Sequence, residues 1–111
     1  MAGRLERGEV RLVRFPAPDK ERPVVILTRP SVLEYLGTVT VAPISSTIRD
    51  VPSQVRLDVD DGMKNPCAVN AHNLLTVRQD LIGRRVGRLS GARMHALCVA
   101  IAFSLGCDGA S

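Results

Sequence analysis

Residues 38–49, T-V-T-V-A-P-I-S-S-T-I-R, decide how this chain is read. The stretch begins as an alternating strand over residues 38–42, with Val39 and Val41 facing inward, because successive side chains of an extended chain point to opposite faces. Pro43 is expected to break it, since proline has no N–H for a ladder. Ser45, Ser46, Thr47 and Arg49 then follow within five residues. Three hydroxyls and a guanidinium just past a strand end make a cup for a phosphate, as both group types donate hydrogen bonds to anionic oxygens.

The flanks extend this β pattern. Residues 23–28, P-V-V-I-L-T, are mostly β-branched or aliphatic and predict a strand covered on both faces. Pro23 keeps Arg22 out of helical geometry, so a charged side chain is held extended at the mouth of a buried strand; a solvated strand-end arginine is the plainer alternative. Upstream, residues 1–7 read as a loose polar lead-in. Residues 9–15 form a strand with Val10 and Leu12 on one face and Val13 and Phe15 on the other, and residues 16–21 a charged loop. Residues 30–37 are a loop or single helical turn with Tyr35 and Leu36 against the core. Downstream, residues 53–59 alternate so that Val55, Leu57 and Val59 face inward. Asp60-Asp61-Gly62 is a turn, residues 67–71 a short strand, 77–82 a helical or 3₁₀ turn and 84–89 a last strand.

Ser90 is placed to cap a helix that runs to Leu105 and stops at Gly106. Arg93 stands where a full capping box has Glu. Met94, Leu97, Cys98, Ile101 and Leu105 form one apolar stripe, and Val99 and Phe103 with four alanines make the remaining surface apolar too. A helix hydrophobic nearly all round is buried on more than one side, so a homodimer through this helix and neighbouring strands is expected. The pattern as a whole is mainly β with a C-terminal helix, a small bent sheet or barrel: one domain over residues 8–106, with a loose tail at 107–111.

At 111 residues, 45% hydrophobic and 23% charged, the chain can bury a core of its own. Its net charge of +4 favours polyanionic partners. Phe15, Tyr35 and Phe103 are the only aromatics, too few for a base-stacking platform, so Arg, Lys and amides would have to hold RNA. Three cysteines without CxxC spacing, a charged start and no long apolar run point to a cytoplasmic protein with reduced thiols and no membrane span. His72 and His95 lie far apart, and no zinc, phosphate-loop or dinucleotide motif is present, so neither metal nor cofactor is expected. Cys67 and His72 as nucleophile and base is a minor alternative to a buried structural thiol; Cys98 reads as core and His95 as surface.

Metal-free cleavage of a phosphodiester needs a base for the 2′-OH, a fixed cation at the transition state and an acid for the leaving oxygen. Arg22 supplies a permanent cation, and Ser45 with Ser46 or Thr47 can hold the non-bridging oxygens. Asp19, Glu21 and His72 are the candidate proton carriers. Asp19 is preferred over Glu21, which strand alternation turns away from Arg22.

The ordered series R-G-E-V (7–10), R-P-V-V-I-L (22–27), V-T-V-A-P-I-S-S-T-I-R (39–49), L-L-T-V (74–77), R-L-S (88–90) and S-L-G (104–106) resembles the MazF/PemK toxins, endoribonucleases of type II toxin–antitoxin pairs, over residues 7–106. The resemblance implies an SH3-like small barrel of the CcdB/PemK type with a C-terminal helix, working as a homodimer. It implies metal-independent cleavage of single-stranded RNA at a short preferred sequence, leaving 2′,3′-cyclic phosphate and 5′-hydroxyl ends. mRNA is the first substrate, with tRNA or rRNA as alternatives, and a cognate antitoxin is the inhibitor. The family's catalytic arginine falls on Arg22 and its catalytic threonine on Ser45. Lys20, Ser46, Thr47, Arg49, Asn70, His72, Asn73 and Arg78 are the candidate RNA contacts. The chain departs from the family at Ser45, which lacks the usual methyl, and at His72-Asn73, where an acid and Gln are common. Leu75 stands where many members carry Arg, and the 16–21 loop is shortened. The same fold also suits a CcdB-like gyrase-binding toxin, or a catalytically weakened homologue that only binds RNA or antitoxin.

Overall fold

The computed structural model describes residues 5–15 and 21–107. Seven strands form one antiparallel sheet: β1 (Glu9–Arg14), β2 (Glu21–Ile26), β3 (Thr38–Ser45), β4 (Gln54–Leu57), β5 (Cys67–Asn70), β6 (Leu75–Arg78) and β7 (Ile82–Arg88). A four-residue turn of helix, α1 (Pro30–Leu33), precedes β3, and α2 (Gly91–Leu105) closes the described chain. The strand order is β4-β5-β3-β2-β1-β7, with β6 also on β3.

The mainly β fold with its C-terminal helix is as the sequence pattern predicts, and β2 is its centre. Val24 and Ile26 enter one hydrophobic cluster with Leu5, Val13, Leu33, Val39, Val41 and Ile82. Val25 enters the other, which joins Val10, Ala42, Val55, Leu57 and Val69 to Met94, Leu97 and Ala100 of α2. Alternation along one strand therefore feeds a core on each side of the sheet.

β3 does not break at Pro43; it runs on to Ser45. The hydrogen-bond parity explains why. Leu27 N donates to Thr40 O (3.0 Å), so Val25/Ala42 and Pro23/Ile44 are the bonding positions of the β2/β3 pair. Pro43 lies at a non-bonding position, and its nitrogen faces the other edge of β3. There β6 pairs only as far as Val41 and β5 begins at Ile44, so no ladder bond is missed.

Several expectations are corrected. Tyr35 is 82% exposed and Leu36 is also exposed; Leu33 is the residue of that turn that reaches the core. Val59 is exposed because the chain leaves the strand register at Leu57 and winds into a 3₁₀ turn, Val59–Asp61. Residues 75–78 form β6 along the first half of β3, leaving only Gln79–Leu81 as a 3₁₀ turn. Of the lead-in expected to be loose, Leu5 is buried and Arg7 Nε donates to Leu27 O (3.2 Å). Cys98 is exposed on α2, with Arg7 Nη2 2.9 Å from its sulfur.

Glu9 and Arg11 on β1 are buried, though the alternation gives no hint of it. Arg11 Nη2 pairs with Glu9 Oε1 at 3.1 Å, and the same oxygen accepts from Glu6 N at 2.8 Å. Arg11 Nη1 also donates to Gly83 O, which ties β1 to β7. A buried charge satisfied on all sides is tolerated, whereas removal of one partner would leave the other stranded.

Helix α2 starts and stops as its caps dictate. Ser90 Oγ accepts from Arg93 N, and Gly106 adopts φ 72°, a left-handed conformation that a Cβ disfavours. Met94, Leu97 and Ala100 are buried against the sheet. Leu97→Ala should therefore destabilise the protein by about 2–5 kcal/mol in denaturant titration, the range for emptying a fully buried leucine site.

Candidate active site

Two prolines and one register bring the chemistry together. β2 and β3 pair as Ile26 with Val41, Val25 with Ala42 and Val24 with Pro43, and there the ladder ends. At the next bonding position Pro23 has no N–H to give Ile44, which leaves that pair at most the bond from Ile44 N–H to Pro23 O. Continued by two residues, the same register sets Arg22 level with Ser45. A cleft of about 380 Å³ opens at that point, lined by Arg22, Pro23, Ile44, Ser45, Ser46, Met63, Lys64, Asn65, Pro66 and Cys67.

Ser45 has its side-chain oxygen held in place by a local bond. Its Oγ accepts from Thr47 N at 3.0 Å, which uses a lone pair and leaves the hydroxyl proton for a ligand in the cleft. The methyl that threonine would contribute to side-chain stiffness is thus replaced in part by a local hydrogen bond. The turn after Ser45 is held by Gln54, which the sequence reading did not single out. Gln54 Nε2 donates to Thr47 O (3.1 Å) and to Asn70 Oδ1 (2.7 Å), and its Oε1 accepts from Arg49 N (2.8 Å). One partly buried amide thereby clamps residues 47–49 against β5; only the pairing of β4 with β5 reveals it.

The candidate residues separate into groups. Arg22, Ser45 and Ser46 share the cleft. Thr47, Arg49 and Asn70 sit beside it on the Gln54 clamp. His72 lies past the end of β5, exposed, with Nδ1 2.9 Å from Ser53 Oγ; Asn73 is exposed next to it. Arg78 is remote: it pairs with Thr38 at the opposite end of β3, about 23 Å from Ser45 at strand rise. There it forms an ion pair with Asp80 and lines a second cavity of about 930 Å³ with Leu5, Arg11 and Arg84. Asp19 and Lys20 fall outside the described residues. Glu21 Oε2 lies over Gly83 of β7, 3.8 Å from where a Cβ there would sit, on the side away from Ser45.

The cleft's far wall, residues 63–66, was not singled out in the sequence either. It follows the 3₁₀ turn, in which Asp58 N donates to Asp61 Oδ2 (2.8 Å) and Asp61 Oδ1 receives Arg93 Nε of α2 (3.0 Å). Burial pushes the Asp61 carboxyl up, but the Asp58 N–H and the Arg93 guanidinium together outweigh it and hold the group below its ordinary value. Burial, reinforced by the Asp61 and Asp58 carboxylates, pushes the Cys67 thiol up. A protonated, buried Cys67 is a wall residue rather than a nucleophile. It also starts the strand that His72 follows, which separates that pair. Among the described residues no cluster of three metal-ligating side chains occurs, and no helix is long and apolar enough to cross a membrane.

Residues 6–105 match the family described as PemK-like, MazF-like toxin of type II toxin–antitoxin system. The chain is 39% identical over 98 residues to endoribonuclease MazF3 of Mycobacterium tuberculosis, covering 86% of this chain and 95% of that relative. The Mycobacterium tuberculosis toxin MazF-mt6 superposes with a TM-score of 0.81 at 35% identity, over 90% of this chain and 98% of that one. An endoribonuclease in complex with its cognate antitoxin, from a mycobacterial species, superposes with a TM-score of 0.81 at 24% identity, over 92% and 95% of the two chains. The chain belongs to the PemK-like, MazF-like family of toxins of type II toxin–antitoxin systems.

The depressed Asp61 value carries a sign. A carboxylate with a lowered folded pKa adds stability that is present above its unfolded value, near 3.9, and is lost as pH falls through the folded one. Asp61→Asn should therefore cost about 1.5–3 kcal/mol at neutral pH, as expected for a charge-assisted hydrogen bond. Urea titrations across pH should show the gap to wild type shrinking below about pH 4.

Proposed function

We propose that this chain is a metal-independent endoribonuclease toxin that cleaves single-stranded RNA by internal attack of the 2′-hydroxyl. The observation that carries the reading is the shared cleft of Arg22 and Ser45 at the end of the β2/β3 ladder, in a chain whose close relatives are named endoribonucleases. Family membership with those relatives favours RNA cleavage over gyrase binding.

In this scheme the 2′-oxygen attacks the adjacent phosphorus, the 5′-oxygen of the next nucleotide leaves with a proton, and the products are a 2′,3′-cyclic phosphate and a 5′-hydroxyl. The phosphorus centre gains negative charge at the transition state. Arg22 meets that charge at any working pH, and the oriented Ser45 hydroxyl donates to a non-bridging oxygen. Asp19 is the proposed proton carrier. Ser46, Thr47, Arg49, Asn70, His72 and Asn73 line the path proposed for the strand, and Lys20, outside the described residues, is a further proposed RNA contact.

Purified protein should cut single-stranded RNA in excess EDTA. Arg22→Ala should slow cleavage by about 10²–10³-fold, the usual effect of losing one transition-state donor, with its circular dichroism spectrum unchanged. Undiminished cleavage by folded Arg22→Ala would refute this role.

The same proposal includes a homodimer and a cognate antitoxin. Val99, Phe103 and Leu105 are 55%, 48% and 63% exposed on α2 of the isolated protomer, an apolar surface that a second copy would cover. The antitoxin follows from the family and from the antitoxin-bound structural relative, and the basic cleft suits an acidic segment. Light scattering should give a dimer mass for the wild type and a monomer mass for Phe103→Asp; a monomeric wild type would contradict it.

A further inference from the structure

We infer that residues 63–66 form a one-base subsite beside the scissile phosphate, in which Asn65 reads the edge of a single nucleobase and Lys64 holds a neighbouring phosphate. The inference rests on the endoribonuclease reading and adds to it the element that recognises sequence at the cut. The cleft has two chemically different walls. Arg22, Ser45 and Ser46 handle phosphate on one side; Met63, Lys64, Asn65 and Pro66 face them from the other. Pro23, Ile44, Met63 and Pro66 give it apolar surface for the face of a base. At about 380 Å³ it lies at the small end of the ~300–1,000 Å³ span of ligand pockets, which suits one nucleotide rather than folded RNA.

The segment is pinned at both ends. Upstream, the 3₁₀ turn is closed by Asp58 N to Asp61 Oδ2 (2.8 Å) and Asp61 N to Asp58 O (2.9 Å), and is anchored on α2 by Arg93. Gly62 turns the chain with φ 89°, a left-handed conformation. Met63 then packs against the core, and Cys67 pairs with Leu57 as β5 begins. Between these anchors, among the described residues, the side chains of Lys64 and Asn65 make no hydrogen bond or ion pair with the protein. Uncommitted polar side chains on a segment pinned at both ends are available to a ligand in the cleft they line. An asparagine amide offers a donor and an acceptor side by side, a pair that matches the N6/N7 edge of adenine best. A lysine ammonium offers a point charge suited to a phosphate.

The test uses the full chain with Asn65→Ala and Lys64→Ala, both changes at exposed positions that leave the core intact. The 5′-hydroxyl ends cut from a random RNA pool give each protein's sequence preference. Anisotropy binding of non-cleavable oligonucleotides, 2′-deoxy at the cut position, gives preference independently of turnover. Asn65→Ala should flatten the preference at one position by about 10-fold and leave the others intact. Lys64→Ala should weaken binding to all sequences alike and lower the salt slope by ~0.7, one single-strand phosphate contact. A preference profile of Asn65→Ala superimposable on wild type, or an unchanged salt slope in Lys64→Ala, would overturn the subsite. Failure of the wild type to cut any RNA would count against the endoribonuclease reading instead, and the binding panel would still decide the subsite.

Discussion

The register of β2 against β3 is the constraint on which the site depends. β2 is buried on both faces and pairs with β1 and β3, so its register is fixed by hydrophobic side chains whose displacement by one residue would exchange the two cores. That fixed register would carry the β2/β3 ladder on to Arg22 and Ser45. The paired register ends at Val24 and Pro43, and at the next bonding position Pro23 has no N–H to give Ile44, so that pair keeps at most the bond from Ile44 N–H to Pro23 O. Arg22 and Ser45, a non-bonding pair in that register, stay level with each other and both line the cleft.

The rest of the protein steadies this opening. Helix α2 packs Leu97 into the core and, through Arg93, grips Asp61 at the base of the 63–66 wall. Gln54 clamps the turn that follows Ser45 to β5, and the Ser45 hydroxyl is itself held by Thr47 N. Both walls are thus fixed before any ligand arrives, the condition under which charge at a reacting phosphate is met without reorganisation. The buried Glu9–Arg11 pair does similar work at the other side of the sheet, where β1 meets β7.

Much of this was legible in the sequence because it rests on short-range rules. The valine-rich run of β2, the alternation at Val39 and Val41 and the Ser90 and Gly106 caps each have a local cause, and each stands in the structure. Arg22 and Ser45 were legible through the resemblance and because both stand at strand ends. What escaped depends on long-range pairing. Pro43 looked like a break because the gap between β5 and β6 is invisible in one dimension, and β6 was missed because its only partner is β3. Val59 and Tyr35 were assigned inward by hydrophobicity alone, although turns expose them. The position of Arg78 at the far end of β3 was hidden for the same reason, since only the β3/β6 register places it there. Gln54, Lys64 and Asn65 carry no motif, and only the fold brings them to the site.

The central claim is that Arg22 and Ser45 act on one phosphate. A double-mutant cycle of single-turnover RNA cleavage, using wild type, Arg22→Ala, Ser45→Ala and the double variant, tests it most directly. Two donors on the same transition state predict strong coupling, with the double variant little slower than the slower single one. Rate losses that simply multiply would contradict the shared site.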